Sequence, residues 1–324
     1  MRCPFLREAQ VKFCCASEFK KMIVRSQGEE ADERCSSPDY TSCPAAKQRH
    51  EDAPSQARCP FLQESLVQYC SAASTIKYVP YSDPNLTKCG TSSHHYCELY
   101  LTMSNPGLAN THEPALETDR PDSDNSVWLV DGIQTTGWHY YSSNHMWADI
   151  DGDGKCHIGL DAFITKVLGT IEKLTFAITN GEHHPGVVVT SNGIDFPMVF
   201  PNRIGITSTN SHLRAEPSRI VADPYTFGWL YEGAEIPTPQ GGNGAASMRT
   251  SLIHGLSSRK WMEDESKRLS LFVHELHGSV KDDTWKGVAD GGNFDGDLIK
   301  YLSKAEALLL YSEFFSPNVT WEEK

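Results

Sequence analysis

The sequence lacks the features that would direct it to a membrane or into a secretory route. Among its 324 residues, no apolar run approaches the roughly 18 to 20 residues that a membrane helix requires. Residues 1–13 contain two arginines but no apolar stretch that ends in small residues, so we predict no secretory signal. We therefore expect a cytoplasmic, globular protein without membrane insertion, long enough for two or three domains.

Positive charge is scarce in the later part of the chain. The formal net charge is −13, and residues 1–100 contain 12 basic and 12 acidic residues against 17 and 30 in residues 101–324. Because Lys and Arg provide most of the affinity for nucleic-acid phosphates, this composition disfavours such ligands. We predict no nucleic-acid partner.

Sequence motifs of catalysis are also missing. The chain has no Gly-x-Ser-x-Gly, Walker-type or dinucleotide-binding loop. Residues 149–154 imitate the opening of a calcium loop, but Leu160 occupies the position that needs a bidentate Glu. His274 and His277 are three residues apart, whereas a zinc-protease helix needs a spacing of four. We predict no catalytic residues and favour a non-enzymatic role.

Cysteine is almost confined to the first hundred residues, where it forms a duplicated frame. Cys3-Pro4-Phe5-Leu6 recurs as Cys59-Pro60-Phe61-Leu62, and the spacings are C-x10-C-x20-C-x7-C and C-x10-C-x18-C-x7-C. We predict two cysteine-rich units, at 1–50 and 51–103. Eight cysteines are the predicted metal ligands: Cys3, Cys14, Cys35, Cys43, Cys59, Cys70, Cys89 and Cys97.

Four thiols per unit suit either a structural zinc ion or an iron–sulfur cluster, and the spacing does not distinguish the two. Buried structural cysteines and a redox-sensitive disulfide switch remain open as alternatives. Cys15 and Cys156 fall outside the frame and are predicted to be inert. His94 and His95 flank Cys97 and could substitute as ligands, although the first copy has no counterpart.

The proline after each leading cysteine favours the first turn of a helix, so we predict a short helix at both Cys-Pro-Phe-Leu segments. A straight helix from Pro4 to Phe13 would separate its ends by roughly 16 Å, too far for one small centre. Either the chain doubles back, or the thiols pair differently. Residues 104–126 are polar, rich in Pro and without periodicity, and we predict a linker there.

Short apolar segments separated by Gly, Asn and Asp follow, as is typical of an all-β domain. The motifs are His145-Met146-Trp147, His157-Ile158-Gly159-Leu160-Asp161-Ala162-Phe163, Val167-Leu168-Gly169-Thr170-Ile171, Asn210, Leu213, Pro217, Ile220-Val221 and Asp223-Pro224-Tyr225-Thr226-Phe227-Gly228-Trp229-Leu230. With these motifs, residues 145–232 resemble the glycine cleavage system H protein family. The resemblance implies a barrel-sandwich hybrid, the fold of lipoyl and biotinyl domains, over residues 127–235 of an α+β multi-domain chain.

In that family a lysine at a hairpin tip carries lipoate. The resemblance aligns Thr190-Ser191-Asn192-Gly193 with the lysine motif, so that Gly193 stands in place of the lipoyl lysine. No lysine occurs between Lys173 and Lys260, and we predict no lipoate. Asn-Gly is a preferred hairpin dipeptide, so the hairpin itself is expected to remain. The resemblance then implies an interaction module that proteins recognising lipoyl domains could bind.

After a connector at 236–256, apolar residues at helical spacing predict a helical extension over 257–324. Its two amphipathic helices cover 257–277 and 297–315, and they are expected to pack on the barrel or on each other; a partner-binding groove or a dimer interface is the alternative. The predicted protein is a non-lipoylated adaptor with two metal centres, for protein interaction and for redox sensing or electron transfer. Its predicted partners are proteins that recognise lipoyl domains or redox proteins. The alternative function is an electron-transfer subunit of a redox enzyme complex.

Overall fold

The computed structural model describes residues 2–16, 21–23, 34–48, 57–75, 77–79, 88–104, 126–236, 238–239, 245–277 and 297–316. The chain divides into two compact units, residues 1–109 and 110–324. Both combine helices with antiparallel sheets. The predicted linker lies, apart from its two end residues, outside the described residues.

The first unit is organised around one sheet of four antiparallel strands in the order β2-β1-β3-β4. The strands are β1 Leu6–Cys14, β2 Lys21–Ile23, β3 Leu62–Cys70 and β4 Lys77–Val79, and the α-helices are α1 Pro44–Lys47 and α2 Glu98–Ser104. Short 3-10 turns occupy Arg34–Ser36, Pro38–Ser42, Lys88–Gly90 and Ser92–Tyr96. The two central strands come from the two copies of the cysteine frame.

The predicted helices at the two Cys-Pro-Phe-Leu segments are wrong. Each segment forms a turn in which the leucine N–H donates to the carbonyl of the leading cysteine, over 3.1 Å in both copies. Proline favours the second position of such a turn as much as the first turn of a helix. The strands then begin at Leu6 and Leu62, because β1 and β3 satisfy each other's backbone groups.

The second unit contains a six-stranded sheet, a three-stranded sheet and two separate two-stranded ribbons. Its strands are β5 Val127–Val130, β6 Ile133–Thr136, β7 Tyr140–Tyr141, β8 Met146–Ile150, β9 Lys155–Leu160, β10 Lys173–Phe176, β11 Gly181–His183, β12 Gly186–Ser191, β13 Ile194–Val199, β14 Ile204–Thr209, β15 Trp229–Glu235, β16 Thr238–Pro239 and β17 Ala245–Ala246. The larger sheet has the order β11-β14-β15-β9-β8-β7, the smaller β10-β12-β13, and all pairs are antiparallel.

The helices of the second unit are α3 Ala162–Leu168, α4 His212–Ala215, α5 Ser218–Ala222, α6 Leu256–His277 and α7 Lys304–Phe314, with 3-10 turns at Met248–Ser251 and Leu298–Tyr301. The helix predicted at 257–277 is confirmed. The second predicted helix is divided, because Ser303 forms a capping box with Glu306 and starts α7 anew. No helix within the described ranges is long and apolar enough to cross a bilayer.

A buried ionic cluster connects helix α6 to the residue that precedes strand β8 and to the residue that follows β9. His145 precedes β8 and is fully buried; its Nδ1 lies 2.9 Å from Asp161 Oδ2 and its Nε2 lies 3.4 Å from Glu265 Oε2. Its ring stacks on Phe163 at a centroid distance of 3.9 Å. Glu265 belongs to α6, so this histidine joins segments 120 residues apart.

Burial alone lowers the pKa of His145, but the two carboxylates outweigh it, and the pKa of His145 is raised. The stabilisation from the charged ring is therefore fully present below the ordinary imidazole pKa of about 6.5. It is lost as the pH rises through the higher pKa of the folded state.

Replacing His145 by Gln should lower the free energy of unfolding of the second unit by about 3 kcal/mol at about pH 5.5. The difference from wild type should shrink as the pH rises, because the wild-type ring loses its proton. All seven tryptophans lie in residues 110–324, so tryptophan fluorescence during urea unfolding follows this unit. The exposed His183→Gln variant is the control, and a pH-independent difference for His145→Gln would contradict the prediction.

Candidate functional site

The predicted hairpin joins β12 to β13 in the second unit. Ser191 lies opposite Ile194, so Asn192 and Gly193 form a two-residue loop. Both have positive φ, +50° and +68° respectively. This backbone is that of a type I′ turn, for which Asn-Gly is well suited because both residues tolerate the left-handed region.

The tip of this hairpin is open on its side-chain face. Asn192 and Gly193 are exposed, and a Cβ added at Gly193 would meet no atom within 4 Å. Its backbone is held by the Gly193 N–H, which donates to Glu172 Oε2 over 3.2 Å. A Cβ at position 193 would therefore meet open space, although the positive φ disfavours it.

The C-terminal segment lies along the same hairpin. The Asn192 amide donates to the Ile299 carbonyl over 3.4 Å, and the Tyr311 hydroxyl donates to the Pro197 carbonyl over 2.6 Å. The Tyr311 ring also contacts Phe196 at a centroid distance of 6.0 Å. Sequence reasoning missed these residues, since nothing in a local pattern connects them to the hairpin.

The first and last motifs of residues 145–232, the region that resembles H proteins, meet in the core. The Trp147 indole N–H lies 2.9 Å from the Leu160 carbonyl and 3.1 Å from the Pro224 carbonyl. The Gly228 N–H donates to the Asp223 carbonyl over 2.8 Å, and a Cβ at Gly228 would lie 2.8 Å from that oxygen. Glycine is therefore required at position 228 for the turn to close.

In the first unit, the strands keep the early cysteines of each copy apart. Cys3 precedes β1 and Cys14 ends it, and nine strand residues span roughly 27 Å between their first and last Cα atoms. Cys59 and Cys70 are separated by β3 in the same way. The four thiols of one copy are thus not brought together.

Leading cysteines instead lie beside the later cysteines of the other copy. The Cys3 N–H donates to the Cys89 carbonyl and the Cys59 N–H to the Cys35 carbonyl, each over 2.8 Å. Cys59 also shares an apolar cluster, centred on Tyr40 and Ala46, with Cys35 and Cys43.

The pKa values of two thiols, Cys89 and Cys35, are raised in part by cysteines of the other copy. Burial, followed by the proximity of Cys3, Cys97 and Cys70, raises the pKa of Cys89 to about 11. Burial, followed by Cys59, Cys14 and Cys43, raises the pKa of Cys35. Cys89 and Cys35 therefore each have three other thiols nearby, and these thiols come from both copies.

No disulfide forms, and all ten cysteines are free thiols. Within the part of the chain that the structure describes, no group of three or more His, Cys, Asp or Glu side chains is arranged closely enough to hold a metal ion. Cys156 is buried in the second unit, which raises the pKa of its thiol. His94 lies with Nδ1 2.6 Å from the Thr91 carbonyl, and burial lowers its pKa.

Part of this chain is similar to glycine cleavage system H proteins. The H protein of Mycolicibacterium vanbaalenii is 27% identical over 97 residues, which are 28% of this chain and 72% of that protein. The H protein of Marinobacter nauticus is 26% identical over 96 residues, 28% and 73% of the two chains. The crystal structure of the Mycobacterium marinum H protein matches with 25% identity over 36% of this chain and 97% of that one, with a TM-score of 0.29. No protein-family model matches the chain.

Replacing Gly193 by Ala should destabilise the H-protein-like region by about 1–2 kcal/mol, because the positive φ disfavours any Cβ although the space is open. Gly152 is the matched control, since it is exposed, equally open and without a positive φ. Its Ala variant should stay within about 0.5 kcal/mol of wild type. Urea unfolding followed by tryptophan fluorescence measures both, and equal effects would contradict the assignment of the turn.

Proposed function

We propose that this chain is a non-enzymatic adaptor, in which an H-protein-like module without lipoate serves as a docking surface and the cysteine-rich unit binds metal. The observation that carries the proposal is the Asn192-Gly193 tip, which has no amine. An adaptor of this kind would present a protein-binding shape in the second unit and a thiol-rich centre in the first.

The absence of lipoate follows from the chemistry of attachment. Lipoate is held through an amide bond to a lysine ε-amine, and Asn192 and Gly193 supply no such group. The chain has no lysine at all between Lys173 and Lys260. We propose that the module has a barrel-sandwich hybrid fold and carries no lipoate.

Docking remains available to such a module because the hairpin is intact. The tip is exposed, its backbone is held by Glu172, and the space around Gly193 is open. The similarity to H proteins supports a protein partner, and we propose proteins that recognise lipoyl domains as the class.

Metal binding is proposed for the first unit on the number and repetition of its thiols. Four cysteines per set is the number that closes a zinc site or holds an iron–sulfur cluster. Zinc would make the unit a rigid docking element, since a closed four-thiolate site leaves no open position. An iron–sulfur cluster would instead give the unit a role in redox sensing or electron transfer.

Intact-mass spectrometry after incubation with a lipoate–protein ligase, lipoate and ATP tests the docking module. Wild type should remain unmodified, whereas Gly193→Lys should gain one lipoyl group because the surrounding shape is retained. Gly152→Lys, which places a lysine in another exposed turn of the same unit, is the control and should stay unmodified.

A lipoyl or octanoyl adduct on the second unit of the wild-type chain would overturn the proposal of a non-lipoylated module. Failure to modify Gly193→Lys, while it unfolds like Gly193→Ala, would show that the surface is not recognised as a lipoyl domain.

Elemental analysis of the full chain purified without oxygen tests the proposed metal centres. We expect about two zinc ions per chain in a colourless protein, or iron and sulfide in a brown one. The Cys156→Ser variant should keep the wild-type metal content, since that thiol belongs to the other unit. A chain that contains no metal under these conditions contradicts this part of the proposal.

A further inference from the structure

The two copies of the cysteine frame are partners in one sheet. Leu6 lies opposite Cys70, and Cys14 lies opposite Leu62. These two pairs are equivalent in the duplication, so β1 and β3 meet as the two halves of a symmetric dimer would, within a single chain. The start of each copy is thereby placed beside the end of the other copy's strand.

Strand length excludes a metal site built from one copy. Zinc–sulfur bonds are about 2.3 Å long, so thiols that share an ion lie within about 4 Å of one another. Strand β1 spans roughly 27 Å from Leu6 to Cys14, and Cys3 lies in the turn just before Leu6. Strand β3, Leu62–Cys70, has the same length and lies between Cys59 and Cys70.

We propose that each of the two metal sites is assembled from both copies of the frame, with the leading cysteine exchanged. The inference rests on the proposed metal binding of the first unit and deepens it by naming the ligands of each site. One site comprises Cys14, Cys35, Cys43 and Cys59; the other comprises Cys3, Cys70, Cys89 and Cys97.

Backbone hydrogen bonds fix both exchanged cysteines in the same way. The bonds from Cys3 to Cys89 and from Cys59 to Cys35 are equivalent under the duplication and equally long, 2.8 Å. Both donor residues are buried, at 7% and 5% exposure. Because the two contacts agree, we expect the two sites to have the same arrangement of cysteines.

The neighbouring contacts follow the same exchange. The Ser71 N–H donates to the Phe5 carbonyl, and the Cys15 N–H donates to the Phe61 carbonyl, each over 2.9 Å. The ring of Phe5 also contacts Tyr100, three residues beyond Cys97, at a centroid distance of 6.0 Å. Each leading segment is thus packed into the later part of the other copy.

A soft, thiophilic metal ion is the ligand class that fits each set. Four thiolates bind a zinc ion tetrahedrally or hold an iron–sulfur cluster without any other side chain. Because no three ligand side chains are at binding distance in the described residues, the ion must draw each set of thiols together. The backbones of Cys3 and Cys89, and those of Cys59 and Cys35, are already adjacent.

Paired Cys→Ser substitutions distinguish exchanged sites from sites within one copy. Cys3→Ser with Cys89→Ser removes two ligands of one proposed site, and the full chain should keep half of the wild-type metal. Cys3→Ser with Cys14→Ser damages both proposed sites, and nearly all metal should be lost. Sites built within one copy predict the reverse outcome for the two double variants, and that result would overturn the exchange.

A second measurement on the wild-type chain depends on neither metal nor variants. A short bifunctional thiol cross-linker, applied to the metal-free folded protein and followed by peptide mapping, should join Cys3 to peptides that contain Cys70, Cys89 or Cys97. Cross-links from Cys3 to Cys14 would overturn the exchange. If these exchanged cross-links form but elemental analysis finds no metal in the chain as purified without oxygen, the grouping of the cysteines stands and only the proposed metal binding is refuted.

Discussion

The antiparallel pairing of β1 with β3 is the interaction on which the first unit depends. Without it, each copy of the duplication would retain only a two-stranded ribbon, which is marginally stable in water. With it, the unit has a sheet of four strands whose centre is the contact between the copies. The same pairing sets the register that places Cys14 opposite Leu62, and so it determines which thiols become neighbours.

The second unit depends on contacts between segments that are far apart in the chain. Trp147 bonds to Pro224, and His145 links Asp161 to Glu265. Such contacts place the opening motif of the H-protein-like region against its closing motif and against α6. The exposed hairpin tip therefore belongs to a unit whose core is formed by contacts away from the tip, while the positive φ of Asn192 and Gly193 constrains the tip itself.

Local patterns in the sequence predicted the features that local physics determines. The Asn192-Gly193 turn and the helix at 257–277 are present because dipeptide conformation and apolar periodicity act over a few residues. The segments after Cys3 and Cys59 became strands instead of helices, because their partner lies in the other copy. The contacts of Glu265 and Ile299 could not be predicted, since they join residues more than 100 positions apart.

The C-terminal segment and the hairpin together form one surface of the second unit. A protein that approaches Asn192 also meets the backbone near Ile299, while Tyr311 supports the flank of the hairpin at Pro197. The docking surface proposed at this tip is thus formed by residues far apart in the chain, and a synthetic peptide that copies β12 and β13 would omit part of it. Its recognition would require the folded second unit, including its last helix.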